Sequence, residues 1–282
     1  MKLSIDLDTL IKRFGVLDAL KLVKQAGFDG VDMPCYMQDV FLGDNYVEFA
    51  KEVRAYLDDL GLECLQAHSP LGLTFETKFD ESDVKFLSTV RAMESASIMG
   101  AKYIVVHAIG VPESEDVYKY NRKFYNSLIP YCQKFNIKVG VENLAVYNGF
   151  GKPWGERLGL PDKFSEFVKS LDKRYFCGCI DLGHAALTYT SPEDFVRDTD
   201  GSIIELLHVQ ESDLTRDNHT IPFTGGYKWM EIIKALKEKG YKGDFSFEIF
   251  KYLHWFPDEL ISEALRLAEK IGRYLINQFN KI

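Results

Sequence analysis

The chain has 282 residues, of which 46% are hydrophobic and 13% aromatic, and it carries a formal net charge of −8. This composition excludes an intrinsically disordered chain and supplies enough apolar side chains for a large core. The excess of 42 acidic over 34 basic residues argues against general affinity for nucleic acid, because phosphate-binding proteins usually carry a basic face.

Short β-rich runs alternate with amphipathic segments of helical length along the whole chain. The predicted strands are residues 3–7, 30–34, 63–68, 103–107, 138–143, 177–181, 203–209 and 244–249. The predicted helices are residues 9–25, 45–60, 82–99, 116–135, 162–171, 192–198, 228–239 and 257–279. Ser191-Pro192-Glu193 is typical of a helix start, and Gly27 and Gly61 follow the ends of two helices. Each strand–helix unit takes about 35 residues, the usual length of a βα unit.

Eight such units predict an α/β fold, a parallel eight-stranded (β/α)8 barrel that forms a single domain over residues 1–282. The rival is an open doubly wound sheet, which would usually bind a nucleotide at a glycine-rich turn after its first strand. Here Asp6-Leu7-Asp8-Thr9 follows the first strand, and no phosphate-binding GxxxxGK[ST] motif occurs. The sequence therefore favours the barrel.

The cysteine pattern and the length of the apolar runs indicate the cellular compartment in which the protein is expected. The five cysteines are widely spaced in a large domain, which does not indicate a disulfide framework. No apolar run reaches the roughly 18 residues of a membrane span, and the first residues lack a signal-peptide pattern. We expect a protein of the cytoplasm with no membrane partner.

All six histidines fall where predicted strands end or in the loops that follow. They are His68, His107, His184, His208, His219 and His254. In a (β/α)8 barrel, the carboxyl ends of the strands and these loops carry the chemistry. Histidine placement therefore predicts a functional site at this end of the barrel.

Acidic residues end three of the same strands. Glu142, Asp181 and Glu248 each follow an apolar run, and a buried carboxylate needs a cation or hydrogen bonds. With His208 they form a predicted ligand set from four consecutive strands. Three carboxylates and one imidazole suit one divalent ion, namely Mn²⁺, Mg²⁺, Co²⁺ or Zn²⁺, and disfavour copper.

Several short segments lie in a fixed order at these strand ends. They are His68-Ser69-Pro70, Val106-His107, Val141-Glu142-Asn143, Asp181-Leu182-Gly183-His184, His208-Val209-Gln210-Glu211, Phe247-Glu248-Ile249 and the stretch from Asp217-Asn218-His219 to Trp229. Their order and spacing resemble those of the xylose isomerase-like barrel superfamily. They resemble in particular its sugar phosphate isomerase/epimerase group, which is related to ketose 3-epimerases. The resemblance runs over essentially the whole barrel.

The resemblance implies a metal-dependent isomerase or epimerase that acts on a small polyhydroxy carbonyl compound, a sugar or a sugar phosphate. It makes Glu142 and Glu248 both metal ligands and the acid–base pair that moves a proton through a metal-stabilised enediolate. Asp181 and His208 would complete the metal site, and His184 would contact substrate oxygens. A homo-oligomer stays open, since barrels of this kind often pair.

The same superfamily includes endonuclease IV, a zinc phosphodiesterase that cleaves DNA at abasic sites with three zinc ions. Its ligand pattern also finds matches here, at His68, His107, Glu142, Asp181, His184, His208, Asp217, His219 and Glu248. The acidic net charge and the lack of a basic, aromatic-interleaved loop favour sugar chemistry. A keto-polyol dehydratase, which would use the same enolisation, and a catalytically silent metal-binding barrel stay open.

Four loop residues are candidates for the substrate pocket: Trp154, Arg216, Phe223 and Trp255. The aromatic rings could stack on a sugar or simply cover the rim of the barrel. In the related epimerases an arginine follows the strand-7 histidine closely, whereas Arg216 lies eight residues after His208. That departure puts a sugar-binding role for Arg216 in doubt.

Overall fold

Eight parallel strands, in chain order, close into a barrel in which β1 pairs with β8. The computed structural model describes residues 1–112, 114–145, 158–188 and 190–282, without the side chain of residue 38. The strands are β1 Leu3–Asp6, β2 Gly30–Pro34, β3 Glu63–His68, β4 Tyr103–Val106, β5 Lys138–Glu142, β6 Phe176–Asp181, β7 Ile204–Val209 and β8 Phe245–Phe247. The predicted single-domain (β/α)8 barrel is confirmed.

Helices surround the barrel in the described part of the chain. They are α1 Asp8–Ala26, α2 Gln38–Phe41, α3 Tyr46–Leu60, α4 Val84–Ile98, α5 Val117–Phe135, α6 Pro161–Lys169, α7 Leu182–Ala186, α8 Pro192–Asp198, α9 Trp229–Glu238, α10 Phe250–His254 and α11 Ile261–Lys281. Short 3₁₀ turns cover Gly201–Ile203 and Asp258–Leu260. Among these described helices, none is long and apolar enough to cross a membrane.

Local sequence sets where several helices begin and end. The Asp83 and Asp116 side chains accept hydrogen bonds from backbone N–H groups in the first turns of α4 and α5. Ser191 does the same for α8, as its Ser-Pro-Glu sequence predicts. Gly27 and Gly61 adopt the left-handed conformation that ends α1 and α3, which glycine reaches at little cost.

The structure departs from the predicted elements mainly at the last strand and in three short helices. The eighth strand ends at Phe247, and only two residues separate it from the start of α10 at Phe250. Helices α2, α7 and α10 were not predicted, since four or five residues are too few to show helical periodicity. All five cysteines have free thiols and are buried.

The parallel register brings strand ends to one rim of the barrel. Asp181 pairs with His208 across β6 and β7, and His208 pairs with Ser246 across β7 and β8. The Glu248 N–H continues the ladder by donating to Val209 O at 3.2 Å. Side chains far apart in the sequence therefore meet at the carboxyl ends of the strands.

Gly30 lies at a point where neighbouring strands approach one another closely. It pairs with Ser4 and Glu63, and an added Cβ would collide with the backbone oxygen of Glu63. A strand backbone cannot move aside, so we expect Gly30→Ala to lower the free energy of unfolding by about 1–3 kcal/mol. Urea unfolding followed by far-UV circular dichroism measures this.

The matched control is Gly43→Ala, because a Cβ at that exposed glycine meets no atom within 4 Å. We expect its unfolding free energy to stay within about 0.5 kcal/mol of the unaltered chain. Equal stability of the two variants would contradict the close approach at Gly30.

Candidate metal centre and active-site cavity

The four residues of the predicted ligand set lie together at the carboxyl end of the barrel. Glu142 ends β5, Asp181 ends β6, His208 lies on β7, and Glu248 directly follows β8. One potential ligand atom from each lies within 4.8 Å of the others. His208 Nδ1 is 3.2 Å from Glu142 Oε1 and 3.4 Å from Glu248 Oε2. The arrangement places three carboxylates and an imidazole around one point.

Glu142 also belongs to a second group, with His68 and His107. Its Oε2 lies 2.6 Å from His107 Nε2 and 3.6 Å from His68 Nε2. The two imidazole Nε2 atoms are 3.2 Å apart. The three residues again offer ligand atoms within 4.8 Å of one another. Glu142 is therefore shared between two potential metal groups.

The remaining three histidine and aspartate candidates lie beside this pair of groups. Asp217 Oδ2 is 2.7 Å from His219 Nε2 and 3.7 Å from His184 Nε2. His184 Nδ1 lies 3.2 Å from Glu142 Oε1, and His219 Nδ1 lies 3.5 Å from Glu248 Oε2. The structure thus gathers all the candidate ligands into one continuous cluster.

The donor set fits a divalent cation. Glu248 Oε2 is buried and has no hydrogen-bond partner among the described residues, which is costly for a polar atom away from water. Three buried carboxylates so close together also repel one another unless a positive charge lies between them. Carboxylate oxygens with one imidazole nitrogen are ligands that Mn²⁺, Mg²⁺, Co²⁺ and Zn²⁺ accept.

Two glutamates of the cluster differ in proton affinity. Burial opposes the ionisation of Glu142, but attraction to His107 and His208 and the hydrogen bonds of its carboxylate outweigh it, so its pKa lies well below the ordinary value. Burial and repulsion from Asp181 and Glu142 hold the pKa of Glu248 well above its ordinary value, although His208 opposes the shift. Their surroundings therefore shift the pKa values of these two carboxyl groups in opposite directions.

Two neutral amides hold the cluster in place. The Asn143 side chain accepts a hydrogen bond from Asp181 N–H at 2.7 Å and donates to Asp181 O at 3.1 Å. Gln210 Nε2 donates to Asp181 Oδ2 at 3.0 Å and to Asp217 Oδ1 at 3.0 Å, while its oxygen accepts from His219 N–H. The role of Gln210 was not predicted from the sequence. The available signal was its place two residues after His208, a spacing that puts two side chains on the same side of an extended chain.

Glu211 shapes the loop between β7 and α9. Its buried carboxylate accepts hydrogen bonds from Thr224 N–H at 3.2 Å, Tyr227 N–H at 3.0 Å and Trp229 Nε1–H at 2.8 Å. Its backbone exchanges two hydrogen bonds with Thr220. This loop carries Asp217 and His219, so Glu211 fixes the path of a segment that completes the cluster.

A cavity of about 1270 Å³ opens over the cluster. Its lining includes His107, Glu142, His184 and Glu248, together with apolar and basic side chains. Lys12 of α1 and Lys251 of α10 are the basic examples. A small polar ligand in this cavity would reach the carboxyl groups directly.

The four predicted substrate-pocket residues fall in different places. Trp255 lines the cavity and is 81% exposed. Phe223 packs near the Trp229 and Tyr274 rings instead, and Arg216 is exposed in the loop where its N–H donates to Asp213. Neither of them lines this cavity, so their contact with substrate stays a prediction. Trp154 lies outside the described residues.

The fold and the clustered ligands define a (β/α)8 barrel with a candidate metal site at the carboxyl ends of its strands, and sequence comparison gives the family. Residues 20–271 match the family described as xylose isomerase-like TIM barrel, and the chain belongs to it. The uncharacterized protein MJ1311 of Methanocaldococcus jannaschii is 27% identical over 192 residues, covering 65% of this chain and 60% of that protein. The uncharacterized protein y4fM of Sinorhizobium fredii is 22% identical over 272 residues, covering 83% of this chain and 81% of that protein.

Solved structures share the fold at low sequence identity. A D-tagatose 3-epimerase-like protein has a TM-score of 0.75 and 21% identity, covering 100% of this chain and 99% of that one. The D-psicose 3-epimerase of Clostridium cellulolyticum H10, solved with D-tagatose, has a TM-score of 0.73 and 15% identity, covering 98% and 99%. The IOLI protein with a bound zinc atom has a TM-score of 0.71 and 17% identity, covering 99% of each chain.

Removing the Glu211 carboxylate tests its hold on the loop. We expect Glu211→Ala to lower the free energy of unfolding by at least about 2 kcal/mol, because three N–H donors lose a charged acceptor. Urea unfolding gives the change, and limited proteolysis shows whether cleavage begins within residues 212–227. Glu52→Ala, on the exposed face of α3, should stay within about 0.5 kcal/mol. Unfolding of Glu211→Ala at the same urea concentration as the unaltered chain would contradict this role.

Proposed function

We propose that the protein is a divalent-metal-dependent isomerase or epimerase acting on a sugar or sugar phosphate. One observation carries the proposal: Glu142 and Glu248, from non-neighbouring strands, lie 3.2 and 3.4 Å from the same His208 nitrogen at the floor of a cavity. Similarity to a D-tagatose 3-epimerase-like protein and to a D-psicose 3-epimerase supports the substrate class.

Such reactions remove a proton from a carbon next to a carbonyl group. Glu142, which lines the cavity, would accept that proton. Glu248, the second carboxyl group in the cavity, would supply a proton to the product. An epimerase uses the two groups at one carbon, whereas an aldose–ketose isomerase moves the proton between neighbouring carbons.

Glu142, Asp181, His208 and Glu248 would hold one ion. When bound, it would supply positive charge to the substrate oxygens as negative charge develops on them. Because Asp181 and His208 are buried, water would not compete with them for the ion. His184, which lines the cavity, would donate a hydrogen bond to a substrate oxygen. A keto-polyol dehydratase would begin with the same proton removal, so it remains a variant of this proposal.

A second candidate is a zinc phosphodiesterase of the endonuclease IV type. The observation that favours it is the sharing of Glu142 by two metal groups, with Asp217, His184 and His219 beside them. Three zinc ions would be held by these residues together with the others that match the endonuclease IV ligand pattern. The net charge of −8 favours a small substrate over DNA, because DNA binding depends on cationic contacts to phosphate.

Metal content per chain separates the two candidates. We expect one divalent ion per chain in protein purified without added metal, and a weakened or lost ion in Glu248→Gln, because that change replaces a ligand oxygen with a poor one. Elemental analysis measures both. The matched control is Glu193→Gln, which alters a buried carboxylate of α8 that pairs with Lys228 and should keep the ion.

Three zinc ions per chain would instead favour phosphodiester hydrolysis, and cleavage of duplex DNA at an abasic site would be the next assay. Absence of bound metal after loading with Mn²⁺, Mg²⁺, Co²⁺ and Zn²⁺ would refute both proposals.

Solvent deuterium reports the proton transfer whichever sugar is the product. We expect the metal-loaded protein to incorporate deuterium from D₂O into a ketose or ketose phosphate at a carbon next to the carbonyl. D-tagatose, D-psicose and D-fructose are the first to test, with NMR as the readout. Glu142→Gln and Glu248→Gln should each slow exchange by about 100-fold or more, because each removes one proton-transfer group.

Glu193→Gln is again the control and should exchange at the rate of the unaltered chain. Undiminished exchange in Glu142→Gln would show that another group is the base. Absence of exchange with every ketose and ketose phosphate, in protein that binds one ion, would count against the isomerase proposal itself.

A further inference from the structure

The two ring nitrogens of His208 face different carboxylates. Nδ1 faces Glu142 and Glu248 at 3.2 and 3.4 Å, as described above. Nε2 faces the interior of the barrel, where Asp32 Oδ2 lies 3.5 Å away. Asp32 is on β2, is only 1% exposed, and belongs to none of the motifs identified in the sequence. The imidazole thus lies between the ligand cluster and a separate buried carboxylate.

His208 Nε2 needs a partner at that interior position. It is buried without a hydrogen-bond partner at normal distance among the described residues, and the Asp32 carboxylate is the acceptor beside it. A histidine that binds a metal through one nitrogen carries its proton on the other, and that N–H is usually donated to a carboxylate or carbonyl. A small closing movement of the ring would make this hydrogen bond.

Neighbouring strands fix the position of Asp32. Gln66 Nε2 on β3 donates a short hydrogen bond to Asp32 Oδ2, and Ser246 Oγ on β8 donates to the same oxygen at 3.3 Å. Gln66 and Ser246 are themselves buried. The carboxylate therefore cannot turn away to water, and it presents a fixed oxygen toward His208.

We propose that Asp32 is a positioning residue for the metal centre: it accepts a hydrogen bond from His208 Nε2–H and thereby leaves Nδ1 free to bind the ion. The inference rests on the metal site of the proposed function. It assigns Asp32 no contact with substrate or ion. The carboxylate acts through the orientation and proton position of one ligand.

Zinc affinity tests this role without any substrate. We expect Asp32→Ala to weaken zinc binding by about 10- to 100-fold, measured by competition with a chromophoric chelator. Asp32→Asn keeps the volume and an oxygen acceptor, so it should fold normally and lose less affinity than Asp32→Ala. Thermal unfolding of each variant, compared with the unaltered chain, separates a change in metal binding from a change in stability.

The proton position on His208 is a second readout that a purely structural role would leave unchanged. In zinc-loaded protein with ¹⁵N-labelled histidine, we expect one ring to show zinc-bound Nδ1 and a slowly exchanging proton on Nε2. In Asp32→Ala that proton should exchange rapidly or disappear from the spectrum, because its acceptor is gone.

Asp6→Asn is the matched control. Asp6 pairs in register with Asp32 on the adjacent strand, is buried, and its carboxylate accepts a hydrogen bond from Asp8 N–H at 2.8 Å. We expect Asp6→Asn to bind zinc with the affinity of the unaltered chain and to keep the His208 Nε2 proton.

Three outcomes would overturn the inference. Unchanged zinc affinity in a folded Asp32→Ala would leave the metal site intact and remove the positioning role. An equal loss in Asp6→Asn would assign the effect to general charge in the barrel interior. Absence of zinc binding by the unaltered chain would refute the metal site and this inference together.

Discussion

Burial of negative charge at one point is the constraint on which the rest of the site depends. Glu142 and Asp181 are almost completely buried and lie with Glu248 within 4.8 Å of one another. Such a group is strongly unfavourable without compensating charge or hydrogen bonds. The histidines around Glu142 and the amides on Asp181 supply part of that compensation, and a divalent cation would supply the rest.

The closed parallel barrel is what makes this concentration of charge attainable. Each of these strands ends at the same rim, so polar side chains from different strands meet there although they lie far apart in the sequence. The hydrogen-bonded ladder fixes the spacing between these side chains, as the pairing of Asp181 with His208 illustrates. A rigid sheet thereby holds mutually repelling groups together, and the loop anchored by Glu211 adds Asp217 and His219 from outside the sheet.

The sequence predicts the barrel and the position of the cluster because both follow from patterns that a single chain displays. Alternation of strands and helices indicates the fold, and an ionisable residue after an apolar run indicates a strand end at the site. Gln210 and Asp32 escaped prediction for different reasons. Gln210 is uncharged, so its burial beside Asp217 is not conspicuous in the sequence. The position of Asp32 becomes informative only when the fold brings it next to His208, which is far away in the sequence. Phe223 packs against Tyr274 and does not line the cavity. The path of its loop, which decides this contact, cannot be read from the composition of the loop.

Glu142 and Glu248 are the same residue type at equivalent ends of two strands, yet their surroundings give them opposite proton affinities. Glu142 has imidazoles on several sides, whereas Glu248 faces Asp181 and Glu142 across the cluster. Glu142 is also the residue shared with His68 and His107. If Glu142 is the base of the proposed reaction, its ability to accept a proton would depend on how many ions the cluster holds, because a carboxylate bound between two cations is a weak base. In the proposed function, the number of bound ions would thus decide between proton transfer and phosphodiester hydrolysis.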